Sequence, residues 1–313
     1  MTAVALTVAT LLALAAVGLA AAAVYTMLGH GRTGPAPDGR TVLARAGSYA
    51  ALAIALACAV AFAPAGVALL VAIIGLVALW EWARLADLPG HHRLMLAASH
   101  LAVVLAVHLH GASAVDWLIG GLVLVGALWP VVRADPTRGM RDLGFAATGF
   151  IFITVMLVHA VALVHDFGAA GAVVFAALAV ACACSDVGAF LTGRRYGRTA
   201  LAPTVSPAKT RAGLSGNFLG AAVALALLGP SLALALAEQS ITGWYGVLLV
   251  PIVALGSVWG DLFESAAKRE AGVKDAASWL PGFGGMLDRV DSLLLTLPLA
   301  YWSLRLLQLL VAG

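Results

Sequence analysis

Charge is what this chain has least of. Asp, Glu, Lys and Arg make up 11% of its 313 residues, while 62% are hydrophobic and the mean hydropathy is +1.01. A soluble domain carries about 25% charged and about 45–50% apolar residues. Polar surface is therefore too sparse to cover a water-soluble globule, and a soluble enzyme is excluded. Cysteine is scarce too, with three residues, which excludes a disulfide scaffold. Cys58, Cys182 and Cys184 all fall in apolar runs and read as small packing residues. Acids and bases nearly cancel, leaving a formal charge of +3, too little to indicate a nucleic-acid partner. Alternation is missing as well: the apolar residues come in long runs, which excludes a membrane β-barrel. The remaining class is an all-α, polytopic integral membrane protein.

Crossing a bilayer core takes about 20 mostly apolar residues. Ten segments meet or approach this, at 3–28, 48–63, 66–83, 94–110, 115–132, 143–164, 169–192, 213–236, 244–260 and 292–311. Pro64-Ala65-Gly66 separates the second and third, which read as a helical hairpin. The first lacks a basic leader and is too long for a signal-peptide core, so it reads as a membrane helix. Of the 18 basic residues, all but Arg305 lie in alternate loops. The positive-inside rule assigns those loops to the cytoplasm and both termini to the outside. Residues 1–47 form a first helix and connector, and 48–313 the main membrane-embedded domain. Arg greatly outnumbers Lys, and Ala and Gly are in excess, the composition of a GC-rich bacterial genome. That points to a bacterial plasma membrane.

The most polar loops, 193–212 and 261–291, each follow a span that ends on an acid, Asp186 and Asp261. Acids at membrane depth are costly and mark function. Asp261, Glu264, Ser265 and Lys268 recur at helical spacing and share one face. Pro281-Gly-Phe-Gly284-Gly285 breaks regular structure, and the N–H groups of its glycines suit close approach to phosphate oxygens. Asp288, Arg289 and Asp291 then open the last span. Carboxylates converging among Lys and Arg repel one another unless a cation lies between them, and hard oxygen ligands suit Mg²⁺. A metal with cationic clamps is the equipment of phosphoryl or nucleotidyl transfer. Ser206-Pro-Ala-Lys209-Thr210 adds an ammonium and two hydroxyls. No GxxxxGK[ST] motif occurs, so a nucleotide would not sit in a P-loop.

The run from Ser265 through Lys268-Arg269 and Lys274-Asp275 to Pro281-Gly-Phe-Gly284-Gly285-Met-Leu-Asp288-Arg289-Val-Asp291 closely resembles the signature of phosphatidate cytidylyltransferases. Gly193-Arg-Arg-Tyr-Gly197, Leu201-Ala-Pro-Thr-Val-Ser-Pro-Ala-Lys-Thr210 and Trp80-Glu81 resemble that family too, so the likeness covers roughly 60–305. It implies that the phosphate of phosphatidate attacks CTP with Mg²⁺, yielding CDP-diacylglycerol and pyrophosphate. By motif match Asp261 and Asp288 hold the metal, with Asp186 and Asp291 in support. Lys209, Lys268 and Arg289 neutralise phosphate, and Ser206, Thr210 and Ser265 hydrogen-bond its oxygens. Three departures are visible. Phe283 stands where the family has His, Arg211-Ala212-Gly213 replaces Trp-Glu-Gly, and Val187 and Phe190 replace hydroxylated residues. An inactive paralogue acting as a scaffold is one alternative. A transporter or channel is the other, but it predicts acids near span centres or helices broken at the midplane.

The remaining features read as structural. His91-His92 beside Arg93 reads as a solvated interfacial pair, and the eight Trp as an aromatic belt. Gly216-x-x-x-Gly220 serves either internal packing or a homodimer.

Overall fold

A computed structural model describes residues 2–28, 39–114, 139–237, 239, 245–273 and 284–312. The chain is a bundle of helices, because in lipid a spanning segment must satisfy every backbone group internally. The helices are α1 (Ala3–Leu28), α2 (Gly39–Ala61), α3 (Ala65–Leu85), α4 (Gly90–His110), α5 (Gly139–Gly149), α6 (His159–Phe167), α7 (Ala169–Tyr196), α8 (Arg211–Leu227), α9 (Gly229–Ala237), α10 (Tyr245–Glu270) and α11 (Leu287–Ala312). A π-helical turn, Phe150–Val155, joins α5 towards α6. Two short antiparallel strands, β1 (Ala200–Ala202) and β2 (Ser206–Thr210), link α7 to α8.

Among the described residues, eight helical segments are long and apolar enough to cross a membrane, with α5 through α6 counted as one. The number becomes nine if α8 and α9, bent by 66° at their junction, form a single broken span. The expected span at 115–132 lies outside the described residues. The hairpin at Pro64 joins α2 to α3 as the punctuation predicts. The ninth and tenth spans are longer than hydropathy alone indicates. The polar face at 261–270 continues α10 without a break, and α11 begins at Leu287. Gly168, at φ +57°, makes the reversal between α6 and α7 that a β-carbon would strain.

α7 is the axis of the bundle, with Val173, Ala176, Ala177, Leu178 and Ala181 all buried. It packs most extensively against α8, and that intimacy comes from small residues. A β-carbon on Gly188 or Gly216 would run into the other helix's backbone, and one on Gly220 into Cys184 of α7. The Gly216–Gly220 motif is thus used within the chain.

Two sequence readings are corrected. Trp82, expected in an interfacial belt, is 1% exposed and donates its indole N–H to Phe145 O at 2.9 Å. Trp80, Trp259 and Trp302 are exposed as expected of a belt. His92, read as half of a solvated pair, is buried, and neither ring nitrogen has a hydrogen-bond partner among the described residues. Its neighbour's ring lies 4.4 Å away. Both residues were misread because a helix end looks interfacial in one dimension, whereas burial depends on which neighbour covers it.

Candidate active site

The polar ends of α7, α10 and α11 and the β1–β2 hairpin meet in one region. α10 and α11 approach closely because Gly256 and Gly260 leave room for Thr296 and for the Asp291 backbone. That contact sets Asp261 and Glu264 of α10 beside Asp291 of α11. Each of the three offers a carboxylate oxygen, and these oxygens lie within 4.8 Å of one another. Glu264 is 1% and Asp291 5% exposed, while Asp261 is half-buried.

Two lysines border this cluster. Lys209 Nζ, carried by β2, lies 2.6 Å from Asp261 Oδ2 and 3.5 Å from Val258 O. Lys268 Nζ lies 3.1 Å from Glu264 Oε2, one helical turn before it, and 2.8 Å from Asp288 Oδ1 across the helix pair. Ser265 Oγ donates to Asp261 Oδ1 at 3.2 Å. Asp261, Glu264, Ser265 and Lys268 thus form two i, i+4 pairs along one face, as their spacing predicts.

Asp186 joins from α7. Its Oδ2 accepts from Ser292 Oγ at 3.1 Å, and the Ser292 backbone N–H donates to Asp291 Oδ1 at 2.6 Å. Asp186, Asp288, Arg289 and Ser292 are among the residues lining a groove of about 510 Å³. Most of its lining is apolar, Leu52 and Phe175 included. Val187 and Phe190, two of the departures from the family pattern, line the same groove, so the lost hydroxyls leave an apolar wall there.

The expected phosphate binders have these positions. Thr210 caps α8, accepting from Gly213 N at 3.0 Å through its hydroxyl. Gly285 N–H, expected to face a phosphate oxygen, donates to Asp288 Oδ2 at 2.8 Å. Gly284, at φ +84°, makes the turn into that position. Phe283 lies outside the described residues.

Sequence reasoning left two acids out of the site. Glu264 was visible on the Asp261 face, three residues on, and that periodicity was sufficient signal. Glu81 was visible only as part of a resemblance. It is fully buried on α3, and its two oxygens accept from Met286 N at 2.8 Å and Leu287 N at 2.7 Å.

The donor set fits a hard divalent cation. Glu264 Oε1 is buried and has no hydrogen-bond partner among the described residues. Like charges about 4 Å apart repel by roughly 4 kcal/mol at an effective dielectric of about 20. When fully ionised, the acids Asp186, Asp261, Glu264, Asp288 and Asp291 outnumber Lys209, Lys268 and Arg289 by two charges. All-carboxylate ligation with open positions for phosphate oxygens is the Mg²⁺ preference.

Comparison with known proteins bears on this geometry. The sequence profile of the cytidylyltransferase family matches residues 43–307. A phosphatidate cytidylyltransferase of Thermotoga maritima is 32% identical over 188 residues, covering 60% of this chain and 68% of that protein. One from Mycobacterium bovis is 30% identical over 237 residues, covering 69% of this chain and 75% of that protein. An uncharacterized protein of Escherichia coli, YnbB, is 32% identical over 193 residues, covering 60% of this chain and 61% of its own length.

Proposed function

The chain belongs to the cytidylyltransferase family, and from that membership we propose that it transfers the cytidylyl group of CTP to phosphatidate, releasing pyrophosphate. The observation that carries the proposal is the cluster of Asp261, Glu264 and Asp291 oxygens within 4.8 Å, flanked by Lys209 and Lys268 and bonded, through Lys268, to Asp288 and directly to Ser292, which line the groove.

A phosphate oxygen of the lipid forms a bond to the α-phosphorus of CTP, and the bond from that phosphorus to the bridging oxygen of the pyrophosphate breaks. The nucleophile is already an anion, so no proton must be removed and no strong general base is required. Catalysis then rests on positioning and charge neutralisation. The carboxylates of Asp261, Glu264 and Asp291 would hold Mg²⁺, with Asp186 and Asp288 beside them. An ion held there would supply Lewis-acid neutralisation of the triphosphate. Lys209, on the β1–β2 hairpin, meets the triphosphate, while Arg289, which lines the groove, meets the lipid phosphate. The acyl chains occupy the apolar wall, where Val187 and Phe190 suit a hydrocarbon better than hydroxyls would. Residues 48–313 form the catalytic unit. It lies in a bacterial plasma membrane, with the site open to the cytoplasm and both termini outside.

Acids that converge with Lys209, Lys268 and Arg289 around one site support an enzyme over an ion path. The test is turnover. Purified protein in detergent receives labelled CTP, Mg²⁺ and phosphatidate, and CDP-lipid and pyrophosphate are measured. Equimolar products that vanish with chelator and return with Mg²⁺ are expected. A folded sample that makes neither from phosphatidate nor from other lipid phosphates sinks the proposal and leaves a scaffold.

A further inference from the structure

We propose that Glu81 is a positioning residue of this site, setting the axial place and rotation of the first turn of α11 and thereby the aim of Asp288 and Asp291. The inference rests on the cytidylyltransferase reading of the cluster.

The first N–H groups of a helix have no partner inside it. They are ordinarily met by a neighbouring side chain at the N-cap. At α11 three successive donors end on carboxylates. Gly285 N–H reaches Asp288 Oδ2 at 2.8 Å, Met286 N–H reaches Glu81 Oε1 at 2.8 Å, and Leu287 N–H reaches Glu81 Oε2 at 2.7 Å. The first is local. The other two are accepted by a residue about two hundred positions earlier, on α3, so α3 fixes where α11 starts. Asp288 follows Leu287 directly, and Asp291 lies one turn further on.

A bidentate acceptor is needed here because two adjacent N–H groups must be met at once in a fully buried place. A carboxylate at the positive end of a helix dipole meets both with charge-assisted bonds. Its desolvation is tolerable only with such partners. The fit leaves no slack: a β-carbon on Gly285 would lie 2.6 Å from Glu81 Oε2. α3 is itself held at this level by the next residue, the buried Trp82, through its hydrogen bond to Phe145 O. The strut therefore runs from α5 through α3 to the catalytic turn.

A group that only stabilises the fold would, when changed, lower melting temperature and leave the folded enzyme's constants alone. A positioning group changes the site. Glu81→Gln keeps the shape but turns an amide NH₂ toward a backbone N–H, losing one of the two bonds. The variant is purified beside wild type. Mn²⁺ affinity is read by electron paramagnetic resonance without substrates, and kcat, the half-saturating Mg²⁺ and both KM values by turnover. The expected result is a Mn²⁺ affinity weakened and kcat lowered by roughly 10–100-fold, as for other groups that orient metal ligands, with KM for the lipid unchanged. Glu81→Asp, too short to reach both donors, falls between. If Glu81→Gln does not fold, Gly285→Ala presses on the same contact from the other side and shifts the same constants. Wild-type Mn²⁺ affinity and Mg²⁺ requirement in a folded Glu81→Gln or Gly285→Ala protein, with only the melting temperature lowered, would overturn the inference. If wild type does not turn over but binds Mn²⁺, the cytidylyltransferase reading fails while the Mn²⁺ series still decides the role of Glu81. Wild type that does neither overturns both.

Discussion

Lys268 donates to Asp288 across the α10–α11 interface at 2.8 Å, and the same ammonium meets Glu264 at 3.1 Å. One cation thereby ties the carboxylate cluster of one helix to the first turn of the other. With side-chain exposures of 11%, 14% and 1% for Lys268, Asp288 and Glu264, solvent screens the three groups little. Removing one partner of a buried pair costs about 3–5 kcal/mol because it strands the other's charge. Lys268→Met is therefore expected to lower the melting temperature as well as activity. Adding Asp288→Asn should recover part of the loss, giving a double-mutant coupling of about 0.5–3 kcal/mol. Strictly additive losses in thermal unfolding would show that the pair is not coupled.

Metal binding should divide the acids into two groups. Asp261→Asn, Glu264→Gln and Asp291→Asn each remove an oxygen from the three-carboxylate cluster and should weaken Mn²⁺ binding strongly. Asp288, held by Lys268 and the Gly285 N–H, should on change to Asn abolish turnover with a smaller loss of Mn²⁺ affinity. Isothermal titration with Mn²⁺ reads the difference. Equal losses at all four positions would make Asp288 a ligand of the same rank.

Lys209 sits in a half-exposed pair with Asp261, at 22% and 34% exposure. Exposed pairs of this kind contribute about 0–1 kcal/mol, so Lys209→Met should hardly change the melting temperature. Its effect should appear as a raised KM for CTP with KM for phosphatidate unchanged. A variant with wild-type nucleotide kinetics would remove Lys209 from the triphosphate site.

The α7–α8 contact depends on the absence of side chains. Gly220→Val would drive its β-carbon into the backbone of Cys184 and Ser185, and overpacking costs typically about 1–3 kcal/mol. Lower yield and melting temperature are expected, with the oligomeric state in detergent unaltered. A change in oligomeric state at full stability would mean that the motif is a subunit seam.

Orientation is open to labelling. In a background with Cys58 replaced, Arg198→Cys beside the hairpin should resist a membrane-impermeant maleimide in intact cells and react after lysis. Ser113→Cys, at the other end of α4, should react from outside. The reverse pattern would turn the site away from the cytoplasm.

Much of the site was legible along the chain because it is built from local periodicity. Asp261, Glu264, Ser265 and Lys268 share a face by helical spacing, and Asp288 and Asp291 follow one turn apart. Their partners were less legible. Thr210 reads as a phosphate ligand in a polar pentapeptide, yet its hydroxyl is used to start α8. Gly285 reads as an open N–H, yet Asp288 three residues on takes it. A short polar motif does not reveal whether its hydrogen bonds are already used within the chain.

The sequence by itself determined the class of protein, the helical segments and the one-sidedness of charge, because hydropathy and helical periodicity are properties of neighbouring residues. Only the tertiary structure decided which acids form the cluster and which act through the backbone. Glu264 and Asp291 meet because glycines let α10 and α11 approach, and Glu81 reaches α11 because α3 folds beside it. Those relations depend on helix packing over long chain separations, where neither period nor composition carries information.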